Sequence, residues 1–256
     1  MSISLRGYLA AVGFGASCLV SAMHAQPSFE GPPPSREVIA EYGERRAAYE
    51  ARLKEVYDWH IDRTAGPEPI AKLGFTTITM LLNRGERIEE CNQRVLELMH
   101  PDEVGTGPFW MFPVAIAAHA GRDKLSDEAR ASIREAWRFK RQLRGDTENH
   151  WIMYHASLYL MAELYPNEPG ESWYTGKDSA TNLAEAQSWL IDWMDITTTI
   201  GQGEYNPTHY VSEYAIPLLM LVTYSKDPEM KQRGKMMLDW LFAELATVTL
   251  EGVLRG

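Results

Sequence analysis

The sequence predicts an all-α protein made of successive antiparallel helical hairpins, and three observations predict it. Beyond residue 35, apolar residues recur at three- and four-residue spacing through long segments. No segment alternates apolar and polar residues as a half-buried strand does. Gly and Pro fall between the periodic stretches, at Gly66-Pro67, Pro101, Gly121, Gly145, Pro166 to Gly170, Gly201 to Gly203 and Asp227-Pro228.

Along the chain, Arg6 precedes an apolar run from Gly7 to Ala22, and a polar, proline-bearing stretch follows. That is the layout of a signal peptide, and the run is shorter than the roughly 20 residues a spanning helix needs. Cleavage after Ala22 is expected, with Ala25 the alternative. Residues 23–35, with four prolines, read as an extended tether. The spacing then predicts helices over 36–63, 69–83, 86–99, 108–120, 126–143, 148–165, 180–199, 207–225 and 228–250. Pro113 and Pro217 fall inside apolar helices and should bend them or sit in their first turns.

Two of these segments echo each other at a separation of 59 residues: His150-Trp151 with His209-Tyr210, Leu160-Met161 with Leu219-Met220, and Tyr165 with Tyr224. Repeated two-helix units that share a buried layer build an open solenoid or a closed toroid, and periodicity does not separate the two. The last segment runs into Glu251 to Gly256 without a polar capping unit, so the helical domain, residues 36–256, is expected to continue further.

Without the signal about 230 residues remain, enough for one domain with a substantial core. Only Cys91 survives cleavage, so no intrachain disulfide can form even in an oxidising compartment. The expected location is periplasmic or secreted, with no stable membrane span after cleavage. The net charge of −10 becomes −11 without Arg6, which argues against a nucleic-acid partner.

Two helix starts carry candidate chemistry. In Gly145 to Trp151, Asp146 or Thr147 is a good N-cap and places Glu148, Asn149 and His150 in the first turn. Free N–H groups and the helix dipole there suit an anion, the Asn149 amide adds a donor, and His150 can move a proton near neutral pH. In Gly201 to Tyr210, Asn206 as cap and Pro207 as first helical residue make a strong start signal, with Glu204, Tyr205, His209 and Tyr210 around it. Each feature also has a structural reading: Asn149 and Asn206 as plain caps, His209 as a backbone-tied residue, Trp151, Tyr210 and Tyr214 as core. A third feature, the basic run Arg134, Arg138, Lys140, Arg141 and Arg144, reads as a solvated face paired with acids such as Glu135, or as a local positive patch. His100, His119, His150, His155 and His209 never form a close ligand pair with carboxylate support, so neither a metal nor another cofactor is expected.

A hairpin domain behind a signal peptide, with Asn149-His150 at one helix start and the Tyr-rich, Gly-preceded start one hairpin later, resembles the (α/α)-toroid polysaccharide lyases of the alginate-lyase and heparinase II/III-like superfamily. The resemblance covers roughly residues 70–250. It implies a partial (α/α) toroid, usually followed by β-domains, and metal-independent β-elimination of a uronate-containing polysaccharide. Asn149 would neutralise the substrate carboxylate, His150 or His209 would abstract the C5 proton, and Tyr205 or Tyr210 would protonate the leaving oxygen. Glu148, Glu204, Asn206 and Trp151 would line the substrate. The sequence departs from that family in having no Arg between Arg144 and Arg233 and in lacking β-domains. The runner-up is a toroid glycoside hydrolase using two of Asp146, Glu148 and Glu204, for which carboxyls facing each other at about 5–10 Å are the signature. A non-catalytic helical scaffold of the envelope is the third reading.

Overall fold

The computed structural model describes residues 36–64, 74–204, 210–250 and 253–254, so residues 1–35, where a signal and tether are expected, residues 65–73, the segment Tyr205 to His209 and residues 251–252 and 255–256 lie outside it. The described residues are all-helical apart from one very short ribbon. The chain divides into two compact units, Met1–Lys54 and Glu55–Gly256. The described part of the first is the N-terminal portion of α1 (Arg36–Thr64). Glu41 and residues 43–54 are exposed, and the ion pairs Glu41–Arg45 and Arg46–Glu50 run along the helix at four-residue spacing.

The second unit begins with the last turns of α1, fastened by Asp58–Arg84 at 2.8 Å and by His60 Nε2 to Thr77 Oγ1 at 3.1 Å. There follow α2 (Phe75–Arg84), α3 (Ile88–Leu98), α4 (Pro108–Ala120), α5 (Asp127–Phe139) and α6 (Glu148–Leu164). A 3-10 turn at Gly170–Ser172 leads to α7 (Ser179–Ile200), α8 (Val211–Tyr224) and α9 (Pro228–Thr247). Local chemistry marks several starts. Ser126 Oγ accepts the Ala129 N–H at 3.1 Å, Asp178 that of Thr181 at 2.8 Å and Asp227 that of Glu229 at 2.9 Å. Gly85, at φ +73, closes α2 with its N–H directed to Leu81 and Leu82.

Several helices pack on the next but one: α2 on α4, α4 on α6 and α6 on α8 in one series, α3 on α5 and α7 on α9 in the other. Helix α6 therefore meets α4, α7 and α8 at once, and its apolar residues run all round it rather than along one stripe. Ile152, Ala156 and Leu160 are fully buried. The echoing segments are neighbours, since α6 and α8 pack together, and Met161 and Met220 are both buried. The echo breaks at its other apolar pair, where Leu160 is buried and Leu219 is half exposed. At the far end of this helix pair, Glu163 accepts from Tyr159 Oη at 3.0 Å, Ser225 Oγ at 3.2 Å and the Lys226 N–H at 2.9 Å.

Several sequence boundaries need correction, among them the helix expected over 69–83, which is described from Phe75 with Gly74 extended before it. The helix expected over 126–143 ends at Phe139, because Gln142 is drawn inward to accept the Gly107 N–H at 2.9 Å. The helix expected over 207–225 is described from Val211, and Asn206 and Pro207 lie outside the described residues. The last helix ends at Thr247, and Thr249–Leu250 pairs antiparallel with Val253–Leu254 where helix was expected to residue 250.

Candidate functional site

The first residue of α6 organises the site. Glu148 Oε1 accepts the Trp193 indole N–H from α7 at 2.8 Å. Its Oε2 accepts the Glu204 N–H at 2.9 Å and lies 3.1 Å from Tyr214 Oη on α8. Glu204 Oε2 accepts the Asn149 N–H at 2.9 Å and lies 2.9 Å from the same phenol oxygen. Two carboxylate oxygens thus flank one hydroxyl, and legs of 2.9 and 3.1 Å keep them within about 6 Å of each other. A phenol has one proton to donate, so it satisfies only one of the two at a time. Burial, and next the Glu148 carboxylate, push the Tyr214 phenol well above its usual range, so it stays protonated as that donor.

This arrangement answers the expectation of an anion at the start of α6. Thr147 stands at the N-cap without a side-chain cap bond, and the free N–H of Asn149 is taken by Glu204 from 55 residues away. The anion at this helix start is the protein's own. The Asn149 side chain, 3 % exposed, is also committed: Nδ2 donates to Glu213 at 2.5 Å and Oδ1 accepts from Thr147 at 2.6 Å.

Beside the carboxylates runs a groove of about 420 Å³ between α7, the start of α6 and residues 201–203. One face of α7 supplies Trp189, Asp192, Trp193, Ile196, Thr197 and Ile200, spaced three and four residues apart. Aromatic rings build its wall. Trp151 meets Trp189 edge to face at 6.2 Å, Trp189 lies parallel to Trp193 at 6.5 Å, and Trp193 lies parallel to Tyr214 at 6.2 Å. His155 stacks on Trp189 at 4.3 Å with both ring nitrogens buried and without hydrogen bonds, and burial brings its pKa down to about 3. The Arg144 guanidinium lies 4.6 Å from the centre of the Trp151 ring. A Cβ at Gly203 would stand 3.0 Å from Glu148 Oε2, so that carboxylate would have to give way.

Of the sequence candidates, Glu148, Asn149 and Glu204 come together, and Trp151 lines the groove rather than the core. Elsewhere, His150 turns toward Phe109, edge to face at 5.4 Å, and lies close to the backbone of Gly145, which adopts φ +78. Tyr210 immediately precedes α8 and packs half-buried against the core. Tyr205, Asn206 and His209 lie outside the described residues. Asp146 is exposed and does not line the groove. The basic run does not form one patch: Arg138 pairs with Glu135, while Arg134 is largely buried with its guanidinium 4.2 Å from the Trp173 ring. Sequence reasoning missed Trp189, Asp192, Trp193 and Glu213. The pattern Trp189-x-x-Asp192-Trp193 on one helical face was the available signal, but it is equally the pattern of a core stripe.

Among the described residues no group of three or more His, Cys, Asp or Glu is arranged to hold a metal ion. Nor is any described helix long and apolar enough to cross a membrane. Comparison of the chain with protein-family models, curated proteins and solved structures finds no match.

Proposed function

We propose that the groove seats a neutral glycan and that Glu148 and Glu204 hydrolyse a glycosidic bond in it. The observation that carries this is the meeting of the two carboxylates, within about 6 Å, beside a groove walled by Trp151, Trp189 and Trp193. Indole faces suit the C–H faces of pyranose rings while leaving the hydroxyls to polar groups. That upper bound admits the spacing of retaining hydrolases, whose carboxyls stand about 5–5.5 Å apart. In that chemistry one carboxyl protonates the glycosidic oxygen as the other carboxylate attacks the anomeric carbon. Water then cleaves the glycosyl ester, giving its proton back to the first residue. Glu148, which borders the groove, is the proposed acid and base, with Glu204, the carboxylate bound at the α6 start, as nucleophile and Tyr214 holding the pair in register.

The site is rich in negative charge, with Glu148, Asp192, Glu204 and Glu213 close together. That environment suits a neutral sugar better than a uronate. The Asn149 amide, needed to neutralise a uronate carboxylate in β-elimination, is engaged with Glu213 and Thr147. The alternate-helix packing supports reading the fold as an arc of an (α/α) toroid, and export remains part of the proposal on the strength of residues 1–22.

The test is incubation of the full chain with panels of neutral glycans and uronate polymers, following reducing-end release and the absorbance of unsaturated sugar. Hydrolysis of a neutral glycan that falls about 10²- to 10⁴-fold in Glu148→Gln and in Glu204→Gln, with helicity retained, is expected. Unsaturated product from a uronate polymer would replace this reading with β-elimination. No turnover and no glycan binding would leave a helical scaffold.

A further inference from the structure

The groove changes character along its length, and that change names the substrate class. Trp189 and Trp151 form one arm, Glu148, Trp193 and Gly203 lie at the middle, and Ile196, Ile200, Gly201 and Gln202 form the other arm. The second arm is aliphatic, and its side chains face solvent: Ile196 is 56 % exposed and Ile200 80 %. Both stand on the face of α7 that carries Trp189 and Trp193, so the aliphatic arm continues the aromatic one without a break. From Trp193 to Ile200 the helix advances about 10 Å.

Resting on the hydrolase reading above, we propose that the bond cleaved joins a sugar to an apolar aglycone. The sugar stacks on Trp151 and Trp189, the glycosidic oxygen sits at the Glu148–Glu204 pair, and an alkyl chain lies on Ile196 and Ile200. A second sugar would leave Ile196 and Ile200 without an apolar partner and would find hydrogen-bonding side chains only at Gln202 and Thr197 on that arm. An alkyl chain removes the exposed isoleucine surface from water. In the reaction the aglycone departs as its alcohol, taking the proton from the acid carboxyl, and water supplies the hydroxyl that ends on the anomeric carbon.

The experiment compares methyl, butyl, hexyl and octyl glycosides of glucose, galactose and mannose, in both anomers, at concentrations below micelle formation. For the sugar accepted, kcat/KM should climb about threefold to fourfold per added methylene while the arm fills, then level off. In Ile196→Ser/Ile200→Ser the octyl-to-methyl ratio of kcat/KM should fall toward one. Phe242→Ser, which removes a half-exposed apolar side chain on α9, should leave the ratio as in the parent protein. Equal turnover of methyl and octyl glycosides would overturn the apolar-aglycone assignment alone, as would a ratio untouched by the isoleucine changes. Absence of binding and turnover across every series would sink the hydrolase reading together with it.

Discussion

Tyr214 is the residue on which the site balances. It is 1 % exposed, and its single proton lies between two carboxylate oxygens that would otherwise face each other unscreened. Tyr214→Phe should lower stability by about 1–3 kcal/mol, because two half-buried carboxylates lose the one donor they share while the ring keeps its stacking on Trp193. A urea titration reads this directly, and an unchanged midpoint would mean water replaces the hydroxyl. Gly203 carries a second constraint at the same place. Gly203→Ala brings a methyl group to 3.0 Å from a Glu148 oxygen already fixed by its hydrogen bonds, so the carboxylate must shift. Hydrolytic activity should fall at least tenfold in that variant while the thermal midpoint moves little, and the reverse pattern would count against a catalytic Glu148. Cys91 lies at the other extreme: burial pushes its thiol up to about 11, so alkylating reagents should leave it unmodified until the protein unfolds.

Among the elements, α7 shows where sequence reading succeeded and where it stopped. Its span was expected as 180–199 and observed as Ser179–Ile200, because Asp178 is a strong cap and the apolar spacing is regular. Removing that cap with Asp178→Ala should cost about 1 kcal/mol, measurable as a shift in chemical denaturation. What α7 does was not legible, since Trp189 and Trp193 spaced four apart look alike whether they face a core or a groove. Tertiary packing decides that, and here it leaves one face of the helix open. The start of α6 was legible for the opposite reason. Asn149 and Glu148 stand at a local signal, a helix N-terminus, and the structure uses that signal, though for an internal carboxylate rather than a substrate. Glu213 and Tyr214 were beyond reach because they join the site across 64 and 66 residues of chain. His150, adjacent to Asn149, goes elsewhere because residues next to each other on a helix point about 100° apart.

For the whole molecule, acid sensitivity follows from two buried imidazoles. His119, stacked on Tyr224, has its pKa brought down from 6.5 to about 4, and His155 from 6.5 to about 3, in both cases chiefly by burial. Folded values below the unfolded ones mean that the unfolded chain binds more protons in this interval. The associated stability is therefore present above pH 6.5 and is lost as pH falls toward 4 and then 3. Denaturation midpoints should drop steeply between pH 6 and pH 4. His119→Gln should flatten that slope, and an equally steep slope in the variant would assign it to the carboxylates instead. The fastening of α6 to α8 at both ends has a consequence for how the fold opens. Glu148 and Glu204 with Tyr214 hold one end, and Glu163 with Ser225 and Lys226 holds the other. Segments without such double anchorage open first in a cooperative structure, so hydrogen exchange should separate two populations. Amides of α6 and α8 would exchange only through global unfolding, while those near Ile200 to Gln202 would exchange through a smaller opening. In kinetic terms the groove wall can breathe on a helix pair that does not, which allows a bulky chain to enter without loosening the core.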